Sequence, residues 1–551
     1  MKVDFQIVFD RDKNVEVFLK KENARPHDFI FYEDDEFQLF IKGIVLNEKD
    51  LMNQYGVSNQ IFKTIYEQRG IRFSDSLTGE FCGFVWDKKQ QQILVFTNLI
   101  ASQRVFYYQN QGNIVIGTNL FDLKKYLDES QLPYSEDLNS AYSMLVLSSL
   151  MDNNTLISEV KKLRSSEQIL IDTNSGNLKI ERLTPLENRS VFQGTKAAAL
   201  SAMDELFSIA VRQEYEKDLD IGKKHFSLLS GGLDSRLGIF YAKKLGFKPE
   251  EALCFSHSGY WDEKIARKIA KDQELNLNVI HLDGGEYLKD IDEISRISQG
   301  LTQFTGGVHS NFALEQIDFS DLGVIHSGHL GDAVLGTYLS VPERTSPENA
   351  LRKIISNSTY QSKIDEYLKQ LLKNYDSEEM CLLHNRGFNY IVIGNYVAEK
   401  FSWQLSPFMH NDFLRFVLTL PEEWKFNQKI YIEWINKYCK PSTAYKWERT
   451  LMRPDKKWKT AFGSDVLSRA NNIFYNKFLG KPYKAQMTSY AYYYQYNASV
   501  QQYFEEYFSK HIDLLKNQEL KKDATEMFQR GGFKEKSMVL SLLGAYKQIF
   551  G

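Results

Sequence analysis

Up to about residue 190 the apolar positions fall in short alternating runs, among them Phe37-Gln38-Leu39-Phe40-Ile41, Phe81-Cys82-Gly83-Phe84-Val85-Trp86, Ile93-Leu94-Val95-Phe96 and Ile114-Val115-Ile116. Polar or glycine turns divide them, so the pattern predicts strands. Helical spacing interrupts near Ile61–Gln68 and Leu138–Leu150. Pro185-Leu186-Glu187-Asn188-Arg189-Ser190 combines a proline with polar residues and predicts a linker. From Thr195 to Tyr215 the spacing is helical, and strand and helix patterns alternate beyond it. Phe226–Leu229, Ala252–Phe255 and Val279–Leu282 read as strands, Ser235–Leu245 and Glu263–Ala270 as helices. That rhythm predicts a doubly wound parallel sheet, whose ligands sit at the C-terminal strand ends. Beyond about residue 345 the pattern turns mostly helical, and no internal repeat is visible. From about residue 465 to 551, Tyr490, Tyr492, Tyr493, Tyr494 and Phe504 are expected to pack against the parallel-sheet domain rather than form a binding platform.

A chain of 551 residues exceeds one ordinary core. The change of pattern predicts two domains, 1–190 and 195–551. A formal charge of -3 supplies no general attraction to nucleic acid or to an anionic membrane. No stretch approaches the roughly 20 apolar residues of a spanning helix, and the first residues lack the apolar run and cleavage site of a signal peptide. Cys82, Cys254, Cys381 and Cys439 are far apart and form no Cys-x-x-Cys pair. They read as reduced, buried thiols. The expectation is a cytoplasmic protein without a membrane or nucleic-acid partner; a homodimer stays open.

The chemistry concentrates in Ser230-Gly231-Gly232-Leu233-Asp234-Ser235, which follows an apolar strand and opens a helix. Two glycines let the backbone approach an anion, helix-start amides point at it, and Ser230 and Ser235 add hydroxyls. Asp234 would repel a bare phosphate, so it makes sense beside Mg²⁺ bridging carboxylate and phosphates. The Lys-Ser/Thr of a Walker A loop is missing. Ser327-Gly328-His329-Leu330-Gly331-Asp332 repeats the ingredients after Val324-Ile325. Two such loops on neighbouring strands would set Asp234 and Asp332 on opposite sides of one Mg²⁺–pyrophosphate. Taken singly, either stretch is also compatible with a plain glycine turn; the pair points to ATP.

These motifs resemble the synthetase domain of the asparagine synthetase family, a branch of the ATP-pyrophosphatases carrying Ser-Gly-Gly-hydrophobic-Asp-Ser. Ser327–Gly336 is similar to the family's Ser-Gly-Glu-Gly-x-Asp-Glu-Leu-Phe-Gly signature. Trp261-Asp262-Glu263 resembles its Asp-Glu helix, and Ser406-Pro407-Phe408 through Leu420-Pro421 its Val-Pro-Phe-Leu-Asp to Leu-Pro segment. The resemblance implies that Asp234 and Asp332 hold Mg²⁺, and that Ser230, Gly231, Gly232 and Ser235 cradle pyrophosphate. It further implies that Leu228, Phe255, Ser327 and Gly328 line the adenine and ribose pocket. Either Lys446 or Arg449 fills the place of a family lysine that neutralises pyrophosphate; the plainer reading of both is a solvated basic side chain. His329 stands where the family has Glu. It is expected to act as general base with a pKa suited to neutral pH, or else to hydrogen-bond phosphate or backbone. His257 and His326 read as structural histidines.

In the first domain, Gly79–Asp87, Val105–Tyr108, Ile116–Asn119 and Ile41–Asn47 resemble the scaffold of class II glutamine amidotransferases, over roughly residues 35–125. The implied fold is α/β throughout: an N-terminal αββα Ntn-hydrolase-like domain followed by a doubly wound ATP-pyrophosphatase domain with extra helices. The family's N-terminal cysteine is absent, position 2 being Lys2, and Asn98-Leu99 replaces its Arg-Asp pair. Glutaminase activity is therefore not expected.

The resemblance implies an AMP-forming ligase that adenylates a carboxylate and passes the acyl group to an amine, with small-molecule or peptide acids and amines as partners. Relatives with a degenerate amidotransferase half include lasso-peptide macrolactam synthetases and β-lactam synthetases; others work in natural-product or surface-polysaccharide pathways. Two further readings are tRNA-base adenylation, which the charge disfavours, and a non-catalytic nucleotide-binding pseudo-synthetase, which the two retained aspartates disfavour.

Overall fold

A computed structural model describes residues 2–10, 12, 14–57, 60–188, 190–455 and 487–551. Its strands are β1 (Lys2–Phe9), β2 (Val15–Glu22), β3 (Phe29–Glu33), β4 (Phe37–Val45), β5 (Gly79–Asp87), β6 (Gln92–Thr97), β7 (Phe106–Asn110), β8 (Asn113–Gly117), β9 (Val160–Lys162), β10 (Glu167–Asp172), β11 (Asn177–Arg182), β12 (Lys224–Leu228), β13 (Glu251–Ser256), β14 (Asn276–His281), β15 (Leu322–His326) and β16 (Gln404–Leu405).

The first eleven build two antiparallel sheets, ordered β2-β1-β8-β7-β9 and β11-β10-β6-β5-β4-β3. Alternation along β1 sends Phe5, Ile7 and Phe9 inward, where they meet Phe40, Phe84, Val95 and Ile169 of the second sheet. The outer face of that sheet packs Leu39, Phe81 and Leu94 on Ile61, Phe62 and Ile65 of the helix Ile61–Arg69. The outer face of the first sheet offers Val8, Phe106, Tyr108 and Val115 to the helices Leu120–Glu129 and Leu138–Leu147. Helix, sheet, sheet, helix is the expected αββα order. Strands with both faces covered are apolar at nearly every position, which is why β5 and β6 read so plainly.

Among the described residues between Arg182 and Lys196 no strand or helix occurs; Arg189 of the expected linker lies outside the described residues. The remaining strands form a parallel sheet ordered β14-β13-β12-β15-β16. Chain order runs outward one way from β12 to β14 and the other way from β15 to β16, so the direction reverses between β12 and β15. In open α/β sheets the crevice at this reversal holds the ligand. The two halves are welded along the β15–β16 side: Ile44 packs with Val324, Trp403 and Leu405, and the Trp403 indole donates to Asp28 at 2.9 Å.

The C-terminal helices cover the other end. Tyr490 donates to the Thr305 carbonyl at 3.0 Å, and Tyr494, Phe504 and Phe533 form one aromatic cluster, the packing role expected of this segment; its part at 465–486 lies outside the described residues. Among the described residues no helix is long and apolar enough to cross a membrane.

Candidate active site

Both glycine loops leave the C-terminal ends of adjacent strands. Ser230–Ser235 follows β12 into the helix Leu233–Lys244, and Ser327–Asp332 follows β15. They interlock. The Asp332 amide donates to an Asp234 carboxylate oxygen at 2.9 Å, and the Tyr431 hydroxyl donates to the other at 2.7 Å. Thr337 holds Asp332 at 3.0 Å and itself accepts from Gln428 at 2.6 Å. Gly328 makes the close approach possible: a Cβ there would lie 2.4 Å from the Asp234 carbonyl carbon. Leu330 sits at φ +65°, in the left-handed region that a leucine avoids, with its side chain buried. Strain of this kind persists where the surroundings over-determine it, commonly at functional loops.

Burial, followed by the facing Asp332 carboxylate, pushes the Asp234 carboxyl up to about 8. Burial also raises Asp332, against the Thr337 hydroxyl and the positive charge of Arg449. Two desolvated carboxylates and a hydroxyl form an oxygen-only donor set, which suits a hard divalent cation such as Mg²⁺. The helix behind Asp234 carries no side-chain cap at Gly232, so its first-turn amides are left to an anion.

Not every loop group is free. The Gly231 amide donates to Asp262 at 2.6 Å and the Gly232 amide to Ser230 Oγ at 3.1 Å, while the Ser230 and Ser235 hydroxyls lie 3.0 Å apart. Ser327 Oγ donates to the Leu405 carbonyl at 2.8 Å, tying the second loop to β16. Leu228, Phe255 and His329 share the wall of a cavity of about 220 Å³ with His309 and Tyr390, while Gly328 packs against Asp234.

His329 differs from expectation. Its Nδ1 lies 3.0 Å from Asn395 Oδ1 and 2.8 Å from Gln404 Nε2. With no carboxylate of the described residues acting on it, burial pushes its pKa down to about 4, so the imidazole is neutral across the physiological range rather than poised near 7. His326 has the opposite environment. Its Nε2 lies 2.7 Å from Asp218, to which His225 also bonds at 2.8 Å, and its Nδ1 lies 3.5 Å from Glu214. Asp218 and Glu214 raise His326 to about 9 despite burial. The Asp218–His225–His326 trio is close enough to hold a metal, but its nitrogens already share one carboxylate oxygen at hydrogen-bond distances. It braces the strand end just before Ser327, the structural role expected of His326.

The basic candidates separate. Lys446 Nζ stands 5.0 Å from the Trp261 ring centroid, whereas the Arg449 charge is felt at Asp332. Sequence reasoning missed Arg236, which is fully buried. It donates to the Gly232 carbonyl at 2.8 Å, to the Gly231 carbonyl, and to Lys446 and Ser442 carbonyls at 2.7 and 3.3 Å. It thereby clamps the segment bearing Lys446 and Arg449 onto the first loop. Glu448 on that segment lies against Gly231 and Gly232, with burial and Asp262 raising it to about 7. An arginine four residues into a helix gives no local sign of such a role.

Residues 202–397 match the family model described as asparagine synthase. A curated relative, asparagine synthetase [glutamine-hydrolyzing] 2 of Bacillus subtilis (strain 168), is 23% identical over 277 residues, covering 46% of this chain and 36% of the relative. The chain thus spans about a third of that protein's length. Two solved structures align more loosely. Glutamine phosphoribosylpyrophosphate amidotransferase from B. subtilis, complexed with ADP and GMP, is 12% identical with a TM-score of 0.21, covering 46% of this chain and 60% of its own. A structure of the allosteric regulatory enzyme of purine biosynthesis is 9% identical with a TM-score of 0.22, covering 50% and 74%. The matched segment, which holds β12 to β15, both glycine loops and both aspartates, is similar to asparagine synthases.

Proposed function

We propose that the chain is an ATP-dependent, AMP-forming ligase that activates a carboxylate at the β12–β15 crevice and joins it to an amine. The observation that carries this reading is the 2.9 Å hydrogen bond from the Asp332 backbone amide to the Asp234 carboxylate, which joins the two loops from separate strand ends, with the Asp332 charge near enough to raise Asp234. Asp234 and Asp332, with Thr337 behind, would hold Mg²⁺, which supplies charge neutralisation to a triphosphate. The uncapped helix start at Leu233 binds its phosphates, and Arg449, on the Asp332 side, offsets charge on the departing pyrophosphate. The cavity walled by Leu228, Phe255 and His329 excludes water from the activated acyl group. Neutral His329, held by Asn395 and Gln404, accepts the proton of the attacking amine.

The amine comes from a substrate or free ammonia rather than from glutamine. All four cysteines are buried, and burial raises their thiols, Cys82 to about 12, so no described cysteine offers a thiolate. The test is acid-dependent exchange of labelled pyrophosphate into ATP across a panel of carboxylic acids, with AMP release on adding amines. Asp234→Asn is expected to abolish both without unfolding the protein, because it removes one of two repelling charges. Undiminished exchange by Asp234→Asn would overturn the reading.

A further inference from the structure

The cavity of about 220 Å³ at the C-terminal ends of β12 and β13 has a strand side and a helix side. Leu228 and Phe255 make the strand side, where the family resemblance places adenine. The helix side is made by His309 and Leu314 of the helix Val308–Leu314, together with Tyr390, Ile391 and Ile393. Among the described residues the wall holds no Asp, Glu, Lys or Arg side chain.

The polar side chains of the wall are already engaged. His309 Nδ1 lies 2.7 Å from the Tyr490 hydroxyl, the Tyr390 hydroxyl accepts from Gln303 at 2.6 Å, and Ser310 Oγ donates to the Gly307 carbonyl at 3.0 Å. Gln404 Nε2 is shared between His329 and Asn395. The two imidazoles also report on charge beyond the wall. Burial lowers both His309 and His329 to about 4, and among the described residues no carboxylate, lysine or arginine acts on either. Arg386 lies over the Tyr390 ring, 5.0 Å from its centroid, and is not part of the wall. A second charged group on a substrate would therefore lose its hydration here and meet no counter-charge. Leu314, Ile391 and Ile393 are suited instead to covering hydrocarbon.

Resting on the adenylation proposed above, we propose that the acid activated in this crevice is a monocarboxylic acid whose chain or ring is uncharged and seats against Leu314, Ile391 and Ile393. An amino acid such as aspartate, which carries an ammonium and a second carboxylate, is excluded by the same wall.

Saturation-transfer NMR on the full chain tests this with Mg²⁺ and an ATP analogue whose methylene between the α- and β-phosphates blocks adenylation. Two matched pairs are compared: hydrocinnamate with phenylalanine, which adds an ammonium, and valerate with glutarate, which ends in a second carboxylate. The singly charged acid of each pair is expected to bind more tightly by roughly 10-fold or more. Exchange of labelled pyrophosphate into ATP reads the reaction separately, so that this binding order without exchange would sink the adenylation alone. Ile391→Trp fills the helix side and is expected to abolish hydrocinnamate binding while the nucleotide analogue still binds. If that variant does not fold, Ile391→Asp replaces it and is expected to favour phenylalanine over hydrocinnamate. The proposal is overturned if phenylalanine or glutarate binds as tightly as its partner, if neither hydrocinnamate nor valerate binds, or if Ile391→Trp loses the nucleotide and keeps hydrocinnamate.

Discussion

Replacing Gly328 by alanine puts the packing of the two loops to a direct test. The added Cβ would lie 2.4 Å from the Asp234 carbonyl carbon and 2.5 Å from the Ser235 nitrogen. Ordinary contact begins at 3.4 Å, so the loops must part by about 1 Å. Both opposing atoms are backbone at the start of a helix and have no rotamer to yield. Overpacking of this kind costs about 1–3 kcal/mol, and a rigid neighbour places the cost near the top of that range. The same displacement stretches the Asp332-to-Asp234 hydrogen bond from 2.9 Å to well beyond bonding distance. A misplacement of about 1 Å in a catalytic constellation typically costs on the order of 10²-fold in rate. Calorimetry and pyrophosphate exchange on the same preparation read the two effects. Gly238→Ala, in the same helix with open space around it, serves as control. It is expected to gain about 0.5–1 kcal/mol from helix propensity and to keep full exchange. Wild-type stability and exchange in Gly328→Ala would refute the interlocked geometry.

Three other outcomes follow from the electrostatics. His329→Ala should leave pyrophosphate exchange intact and slow amide formation by roughly 10²–10⁴-fold; because burial holds the imidazole near 4, the wild-type amide-forming rate should show no inflection near pH 6.5, and full turnover by the variant would remove its role as base. Arg449→Met should reduce pyrophosphate exchange by roughly 10²-fold, with Lys446→Met affecting it much less, since the Arg449 charge is felt at Asp332 whereas Lys446 stands over the Trp261 ring; the reverse order would exchange the two residues' roles. His326, at about 9 when folded against an ordinary 6.5, contributes stability that is complete below pH 6.5 and is lost as pH rises through 9. Linkage makes that about 3 kcal/mol, visible as a falling melting temperature between pH 6.5 and 9.5 that Asp218→Asn should flatten.

The parts legible in the sequence were those whose signal is local. The two loops stood out because glycine, serine and aspartate follow an apolar strand in register, and the strand pattern from Phe226 to Leu282 became β12 to β14 within a few residues. What escaped depends on segments distant in the chain. Strands β1 and β2 were overlooked although Val3, Phe5 and Ile7 alternate with Asp4 and Gln6, and Val15, Val17 and Leu19 with Glu16, Phe18 and Lys20; the half of each hairpin strand that faces away from the core keeps it from reading as the continuous apolar run of β5 or β6. Asp262 was marked by its resemblance to the family's Asp-Glu helix, but that its carboxylate accepts from the Gly231 amide was not foreseen. Arg236 was given no role, but carbonyls from Ser442 to Lys446 wrap around it, more than two hundred residues away.

The pKa of His329 was misread for a related reason. A residue type carries an ordinary pKa, but the sign of its shift belongs to its neighbours. His326 and His329 are three residues apart and both buried, yet they move in opposite directions because Asp218 and Glu214 face the first, whereas the neutral Asn395 and Gln404 face the second. The same contrast separates the two acidic clusters. At Asp218 two imidazoles lie within hydrogen-bond distance of one carboxylate oxygen, and His326, raised to about 9, supplies positive charge from within the cluster. At Asp234 and Asp332 the groups supplied by the chain are a tyrosine hydroxyl, a threonine hydroxyl and the more distant Arg449 charge, and burial drives both carboxyls toward protonation. Ionising them together requires positive charge beyond what the described residues supply, and an oxygen-only set beside an uncapped helix start suits a hard cation accompanied by phosphate.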